Sequence, residues 1–294
     1  MKLQIQSVLF HNDPRHIIRA AAGVRRAVDR LASQKSCEVT LAYGDCSAEK
    51  CLDDEVQAEI TELLGPIRFK YRFFGRNLGS AQGHNLLGAD LDDGFVLIQN
   101  PDVVGEPSYL TALAGCFNDP DCGMAEARQL PIEHPKEYDP VTGETPWATT
   151  ACAMIPVRLF RQLDGFDAAT FFLYCDDLDF SWRLRLIGKK VIFQPAAVVF
   201  HDKRLGRQAN WQPSKAEQYY SIEAAILMAH KWSRPDRVRE LLEFCERTGG
   251  DIFGKAALEY RKRVESGKIP TPLDPDHKIS VFEGDLYAKH RFAL

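Results

Sequence analysis

The eight cysteines of this 294-residue chain, at positions 37, 46, 51, 116, 122, 152, 175 and 245, include no CxxC pair. Zinc-ribbon and dithiol redox chemistry are therefore disfavoured, and reduced packing thiols in a cytoplasmic protein are the simplest reading. No apolar run approaches the roughly 20 residues needed to cross a bilayer. The opening MKLQIQSVLFHND lacks the shape of a secretory leader. Internal repeats and low-complexity tracts are absent. The 37 basic and 41 acidic side chains give a net charge of −4, so no global basic excess points to nucleic acid. No GxGxxG follows a strand, which disfavours a dinucleotide enzyme. What is present is an ordinary globular balance, 45% hydrophobic and 27% charged. That balance excludes disorder, and the length suits one large domain or a domain with an appendage.

The charge is uneven. Residues 1–202 carry a net −8 and residues 203–294 a net +4. An acidic body with a basic tail fits a metal-dependent site in the first part, and fits chance equally well.

The first half alternates short apolar runs with helical patterns. Strands are expected at 3–10, 39–43, 67–74 and 94–99, with helices at 14–31, 52–64 and 80–91 between them. Alternation of this kind predicts a parallel sheet covered on both faces. Its strand C-termini, gathered on one edge, are where open α/β sheets bind ligands. Beyond it, strands are expected at 121–130, 149–155, 190–193 and 197–200, with a short helix opening at Pro156 and another at 176–187. The proline-rich stretch 131–147 reads as a functional or mobile loop. After residue 205 the character changes to three helices, near 215–232, from Pro235, and 253–264. Those helices pack on the main domain, form a homodimer, or lie on a membrane surface. The run Lys231–Arg239, with Trp232 among basic residues, is the feature that keeps peripheral membrane contact open.

Asn100-Pro101-Asp102 follows the buried strand GFVLIQ. It reads either as a turn, since all three residues are turn formers, or as a carboxylate site for Mg²⁺ or Mn²⁺. Asp176, Asp177 and Asp179 follow the apolar run FFLYC at a helix start. N-capping accounts for one acid there, less well for three. A carboxylate held ionised at a helix N-terminus can accept a proton from a sugar hydroxyl. Asp176 and Asp177 lie about 100° apart on the helix, so they should do different jobs. Asp179 and Arg183 have the spacing of a surface pair. His201 ends a strand, as a surface residue or a metal ligand. Lys203, Arg204 and Arg207 follow, as a solvated loop or as groups that neutralise a leaving diphosphate. Asp45 follows the second strand, and Asn77 to Asn85 join the third strand to a helix. Trp147 offers a face for stacking a sugar. Trp182 reads as core.

Taken in order, NLGSAQGHN, GFVLIQNPD, TTACAMIPVRLFRQLDGFD, FFLYCDDLDFSWRLRLIGK and a strand ending in His201 resemble the family 2 inverting glycosyltransferases. The nearest flavour is the bacterial rhamnosyltransferase and galactofuranosyltransferase type. The resemblance implies the GT-A fold: an α/β, Rossmann-like, mostly parallel sheet flanked by helices over residues 1–205, with a C-terminal helical extension over 206–294. It implies transfer of a sugar from a nucleoside-diphosphate donor, dTDP- or UDP-linked, to a glycan or lipid-linked acceptor in cell-surface polysaccharide synthesis. The setting is the cytoplasm, with the inner face of the cell membrane open. It implies Asp102 and His201 as ligands of Mn²⁺ or Mg²⁺, Asp177 as general base, and Asp176 and Trp147 at the acceptor. His11, Asp45, Asn77, Asn85, Asn100 and Arg204 fall at the nucleotide sugar. Asn100 stands where the family's DxD motif has its first acid. That departure keeps a second class open, a catalytically silent sugar-nucleotide-binding module. A nucleotidyltransferase would need a Gly-rich basic loop after the first strand, which Phe10–Pro14 does not supply.

Overall fold

A computed structural model of the chain describes residues 1–134, 136–202 and 213–289. The first half alternates as its sequence pattern predicts: β1 (Lys2–Leu9), α1 (Pro14–Ala32), β2 (Glu38–Asp45), α2 (Asp54–Leu64), β3 (Arg68–Phe73), α3 (Gly79–Gly88) and β4 (Phe95–Gln99). Local chemistry sets the boundaries. Asp13 caps α1 by accepting from the Arg15 amide, with Pro14 pre-set at the first helical position. Asp53 caps α2 through the Val56 amide.

The second half comprises β5 (Val103–Gly105), α4 (Tyr109–Cys116), β6 (Cys122–Leu130), β7 (Cys152–Pro156), α5 (Val157–Gln162), α6 (Asp176–Leu186) and β8 (Lys190–His201). Helices α7 (Lys215–Lys231), α8 (Pro235–Thr248) and α9 (Lys255–Glu265) follow, with a π-helical turn at Gly250–Gly254 before α9. Sequence reading misses β5 and α4, because β5 is too short to show a period. It also divides β8 in two. In the structure β8 is continuous, and its register jumps from Ala127↔Gln194 to Arg128↔Val198. Pro195, with no N–H to give a ladder, sits in that bulge.

All eight strands form one sheet, in the order β3-β2-β1-β4-β7-β6-β8-β5. β1, β2, β3 and β4 are mutually parallel. β7 runs antiparallel to both β4 and β6, and β5 antiparallel to β8. The four strands of the alternating half thus end on one edge as expected, and β5 and β7 are reversed. The two reversed strands bring their starts to the edge where the others bring their ends. Core packs on both faces, under α1, α2 and α4 on one side and under α3, α5 and α6 on the other.

Helix α7 packs against α6, with Trp182 and Trp232 edge to face at 5.0 Å in a cluster with Phe171, Leu178 and Leu227. Trp182 is core. Trp232 is fully buried and Lys231 is 5% exposed, so the aromatic and the first cation of the Lys231–Arg239 run point inward and give no support to membrane contact. Among the described residues no helix is long and apolar enough to cross a membrane.

Candidate active site

The register Val103↔His201 sets Asp102 beside the end of β8, although the two lie far apart in sequence. His201 Nε2 is 3.4 Å from Asp102 Oδ1 and 3.4 Å from Asn100 Nδ2. His201 Nδ1 faces Gln129 Oε1 at 2.7 Å. Nδ1 thus faces Gln129, and Nε2 faces Asp102 and Asn100.

Helix α6 begins in the lining of the same cavity. Tyr174 and Cys175 both have left-handed backbone, at φ 67° and 58°, an uncommon state for residues with side chains. The turn they make aims Asp176 and Asp177 into a cavity of about 1050 Å³, lined also by Asn100, Asp102, Trp147 and His201. Gly79 closes this turn from behind. Its φ is +72° and a Cβ there would lie 2.1 Å from the Phe172 carbonyl oxygen. That close approach lets the Ser80 amide donate to the same oxygen at 3.0 Å.

Asp176 is 4% exposed. Burial, and after it the neighbouring Asp177 charge, push its carboxyl up to about 7. Its Oδ2 has no hydrogen-bond partner among the described residues. Asp177 is half-buried and is pushed up too, chiefly by desolvation. It accepts from the Leu178 amide at 2.8 Å and the Thr150 amide at 3.3 Å. Asp179 faces away, fully buried. It pairs with Arg183 at 2.7 Å, but in the interior and not on the helix surface.

The nucleotide-side residues are less convergent. Asp45 is fully buried and lies outside the cavity lining. It accepts from the Ser47 and Cys51 amides and the Tyr71 hydroxyl. Burial pushes its carboxyl up, but these donors outweigh it and hold it below the ordinary range. Asp45 thus shapes the loop after β2. Asn85 is likewise committed: it donates to the Phe166 carbonyl at 2.7 Å and accepts from the Phe166 amide at 2.9 Å. Both polar atoms of the side chain are thus engaged within the protein. His11 is exposed, with its amide on Ser47 Oγ, and Asn77 is exposed, accepting from the Gly79 amide. Neither lines the cavity. Arg204, with Lys203 and Arg207, lies outside the described residues.

Sequence reasoning missed Thr149-Thr150, which lead into β7 and line the same cavity, and the buried side chains of Glu126, Gln129 and Lys136. One signal was available. Glu126 and Gln129 sit in the strand CGMAEARQL, where the structure buries nearly every residue, and a buried acid needs a partner.

The donor set fits a hard divalent cation in part. One carboxylate and one imidazole nitrogen face each other, and oxygen-rich octahedral ions complete their shells with water and substrate phosphate. Among the described residues no group of three or more His, Cys, Asp or Glu could hold a metal. The protein would thus supply two ligands, with Asn100 adjacent.

No protein-family profile matches the chain. Two curated relatives, the N-acetylglucosaminyl-diphospho-decaprenol L-rhamnosyltransferases of Mycobacterium tuberculosis strains CDC 1551 and H37Rv, are 26% identical over 147 residues. The match covers 38% of this chain and 48% of each relative, so the chain spans about half the length of the curated relatives it matches. Among solved structures, GalNAc-T7 with UDP, GalNAc and Mn²⁺ superposes with a TM-score of 0.62 at 15% identity, over 97% of this chain and 60% of that one. The mannosyltransferase PcManGT of Pyrobaculum calidifontis, in complex with GDP-Man and Mn²⁺, gives 0.52 at 14%, over 90% and 80%. S. aureus TarS gives 0.52 at 13%, over 84% and 43%. With its curled, mostly parallel sheet and its site on the strand-end edge, the chain has the fold of the GT-A glycosyltransferases.

Proposed function

We propose that the protein is a metal-dependent, inverting glycosyltransferase. It moves a sugar from a nucleoside-diphosphate donor to a hydroxyl of a glycan or lipid-linked acceptor. The observation that carries this reading is the meeting, in one cavity, of the Asp102–His201 pair and the Asp176–Asp177 pair. The first suits a diphosphate-bound cation, the second a sugar hydroxyl. The decaprenol-linked substrate in the relatives' name supports a lipid-linked acceptor. The nucleotides and Mn²⁺ bound by two structural neighbours support the donor class and the ion.

Asp102 and His201 would hold Mn²⁺ or Mg²⁺, which when bound carries charge developing on a departing diphosphate. Asp177 accepts the proton of the acceptor hydroxyl as that oxygen attacks the anomeric carbon. Its desolvation makes it a stronger base than an exposed aspartate. Its two amide contacts keep the carboxylate aimed. Asp176, nearer neutral, hydrogen-bonds the acceptor with its unpartnered oxygen. Trp147 walls the acceptor side, and Arg204 is assigned to the departing diphosphate by the same reading. One displacement on the face opposite the nucleotide inverts the anomeric centre.

The test is release of nucleoside diphosphate from a panel of dTDP-, UDP- and GDP-sugars with Mn²⁺, with product configuration read by NMR. Turnover lost with EDTA and with Asp177→Asn is expected; a product that retains configuration rules out inversion. Asn100, neutral where the family has an acid, favours a second reading as a silent binding module. Donor binding without turnover on any sugar would select it.

A further inference from the structure

Behind His201 a file of polar side chains runs along the cavity wall, which Thr149 also lines, and ends in the interior at Glu126 and Lys136. His201 Nδ1 meets Gln129 Oε1 at 2.7 Å, and Gln129 Nε2 donates to Thr149 Oγ1 at 2.9 Å. Thr149 Oγ1 donates in turn to Glu126 Oε1 at 2.9 Å. Glu126 Oε2 accepts from the Lys136 ammonium, and these two side chains are 0% and 1% exposed. Glu133 pins the file from the side, accepting from the Gln129 amide at 2.8 Å.

The direction of every bond in this file follows from its buried end. An ammonium can only donate, and a carboxylate paired with it can only accept. Thr149 has one hydroxyl proton, so contact with Glu126 consumes it and leaves a lone pair for Gln129. Gln129 must then turn its NH₂ toward Thr149 and its oxygen toward His201. That oxygen requires a proton on Nδ1. The neutral ring therefore presents a bare Nε2 to Asp102. We propose that the buried Lys136–Glu126 ion pair is a positioning unit that sets the tautomer of His201 through Thr149 and Gln129, keeping Nε2 unprotonated at the cavity wall. Its value for binding a cation rests on the metal-site reading above; the tautomer itself does not.

The same residues touch the other parts of the site. Thr149 is followed by Thr150, whose amide donates to Asp177, so one dipeptide step serves both His201 and Asp177. Lys136 Nζ also lies 4.6 Å from the centroid of the Trp147 ring, a cation–π contact that holds the acceptor-side aromatic in place. The ion pair thus organises three positions that sequence leaves far apart.

The consequence to test is reversal. In Glu126→Gln the new amide can donate to Thr149, whose proton then turns to the Gln129 oxygen. Gln129 offers its NH₂ to Nδ1, and the ring proton moves to Nε2. Thr149→Val cuts the file at its middle and leaves both tautomers accessible. Ring ¹⁵N NMR on histidine-labelled protein reads this directly, with His201 among the eight histidines assigned by loss of its signals in His201→Asn. Mn²⁺ alone, titrated by EPR, reads the effect on the cation site.

Wild type is expected to carry Nδ1–H. Glu126→Gln should shift His201 predominantly to Nε2–H and weaken Mn²⁺ binding by about 10–100-fold, the usual effect of losing a group that orients a ligand. Thr149→Val should give a tautomer mixture and a smaller loss. Wild type with Nε2–H overturns the proposal without any variant. A folded Glu126→Gln that keeps the wild-type tautomer also overturns it, and if that variant does not fold, Thr149→Val decides by the same measure. Tautomer reversal in a protein that binds no Mn²⁺ supports the relay and removes the metal-site reading instead.

Discussion

Lys231 Nζ sits 2.7 Å from Asp179 Oδ1, joining the last residue of α7 to the first turn of the helix that carries Asp176 and Asp177. The same ammonium pairs with Asp167 at 2.7 Å, and Trp232 Nε1 donates to Asp179 Oδ1 at 3.2 Å. Arg183 takes the other oxygen of Asp179 and donates on to the Leu163 and Gly165 carbonyls. The C-terminal helices are thus tied to the base of α6 by a buried charge cluster as well as by the Trp182–Trp232 contact. Removing the cation while leaving the acids strands a buried charge, which is the costly way to break such a pair. Lys231→Met should lower stability by about 3–5 kcal/mol, read by urea denaturation. A loss below about 1 kcal/mol would mean that Arg183 alone satisfies Asp179.

Asp177→Asn keeps the shape of the side chain and an oxygen to accept from Thr150, but removes the proton acceptor. Loss of general-base catalysis typically lowers turnover by about 10²–10⁴-fold. The expected result is a fall of that size in kcat, with the Kd for nucleoside diphosphate and Mn²⁺ changed less than about twofold, since Asp177 bonds to the Leu178 and Thr150 amides and not to Asp102 or His201. Calorimetry on the variant gives the second number. A large loss of donor affinity would move Asp177 out of the base role and into donor binding.

These acids were legible from the chain because their signal is local. Three acids at a helix start, after the apolar run FFLYC, need explanation on any reading. Asp102 and His201 were legible for a related reason: each ends a buried run, and strand ends define the binding edge. What the chain could not reveal is which strand ends become neighbours. Two strands run backwards, and the contact of Asp102 with His201 depends on the short β5, which has no period to detect. Asp45 and Asn85 show what local pattern does not reveal. Turn-region polar residues are read as ligand contacts, yet each spends its hydrogen bonds on nearby backbone, as such residues commonly do. The Glu126–Lys136 pair was hidden because a lysine in a proline-rich loop gives no sign that it folds inward.

Asp176 makes a prediction about stability. Its carboxyl is pushed up to about 7 in the folded protein, by burial first and by Asp177 second. Between the ordinary aspartate range and that value the folded state binds more protons than the unfolded chain. Stability should therefore fall as pH rises through this window, since the ionised form is the one that burial penalises. Asp176→Asn removes the penalty. The variant should melt several degrees higher than wild type at pH 8 and show no gain at pH 4, about 2–4 °C for each kcal/mol recovered in a chain of this size class. Scanning calorimetry at the two pH values checks this. An equal gain at both would trace the effect to packing and not to charge.

Asn100 supplies the last test, because its amide lies 3.4 Å from His201 Nε2 and so competes for the lone pair a cation would use. Asn100→Asp replaces that donor with an acceptor and restores the first acid of the DxD pattern. Adding a carboxylate to an oxygen-rich site raises cation affinity through ligand charge, and a gain of about tenfold in Mn²⁺ affinity is expected at pH 8. An EPR titration of Mn²⁺ into both proteins at pH 8 reads the difference. Unchanged affinity at pH 8 would place residue 100 outside the coordination sphere and leave Asp102 and His201 as the whole of the protein's contribution.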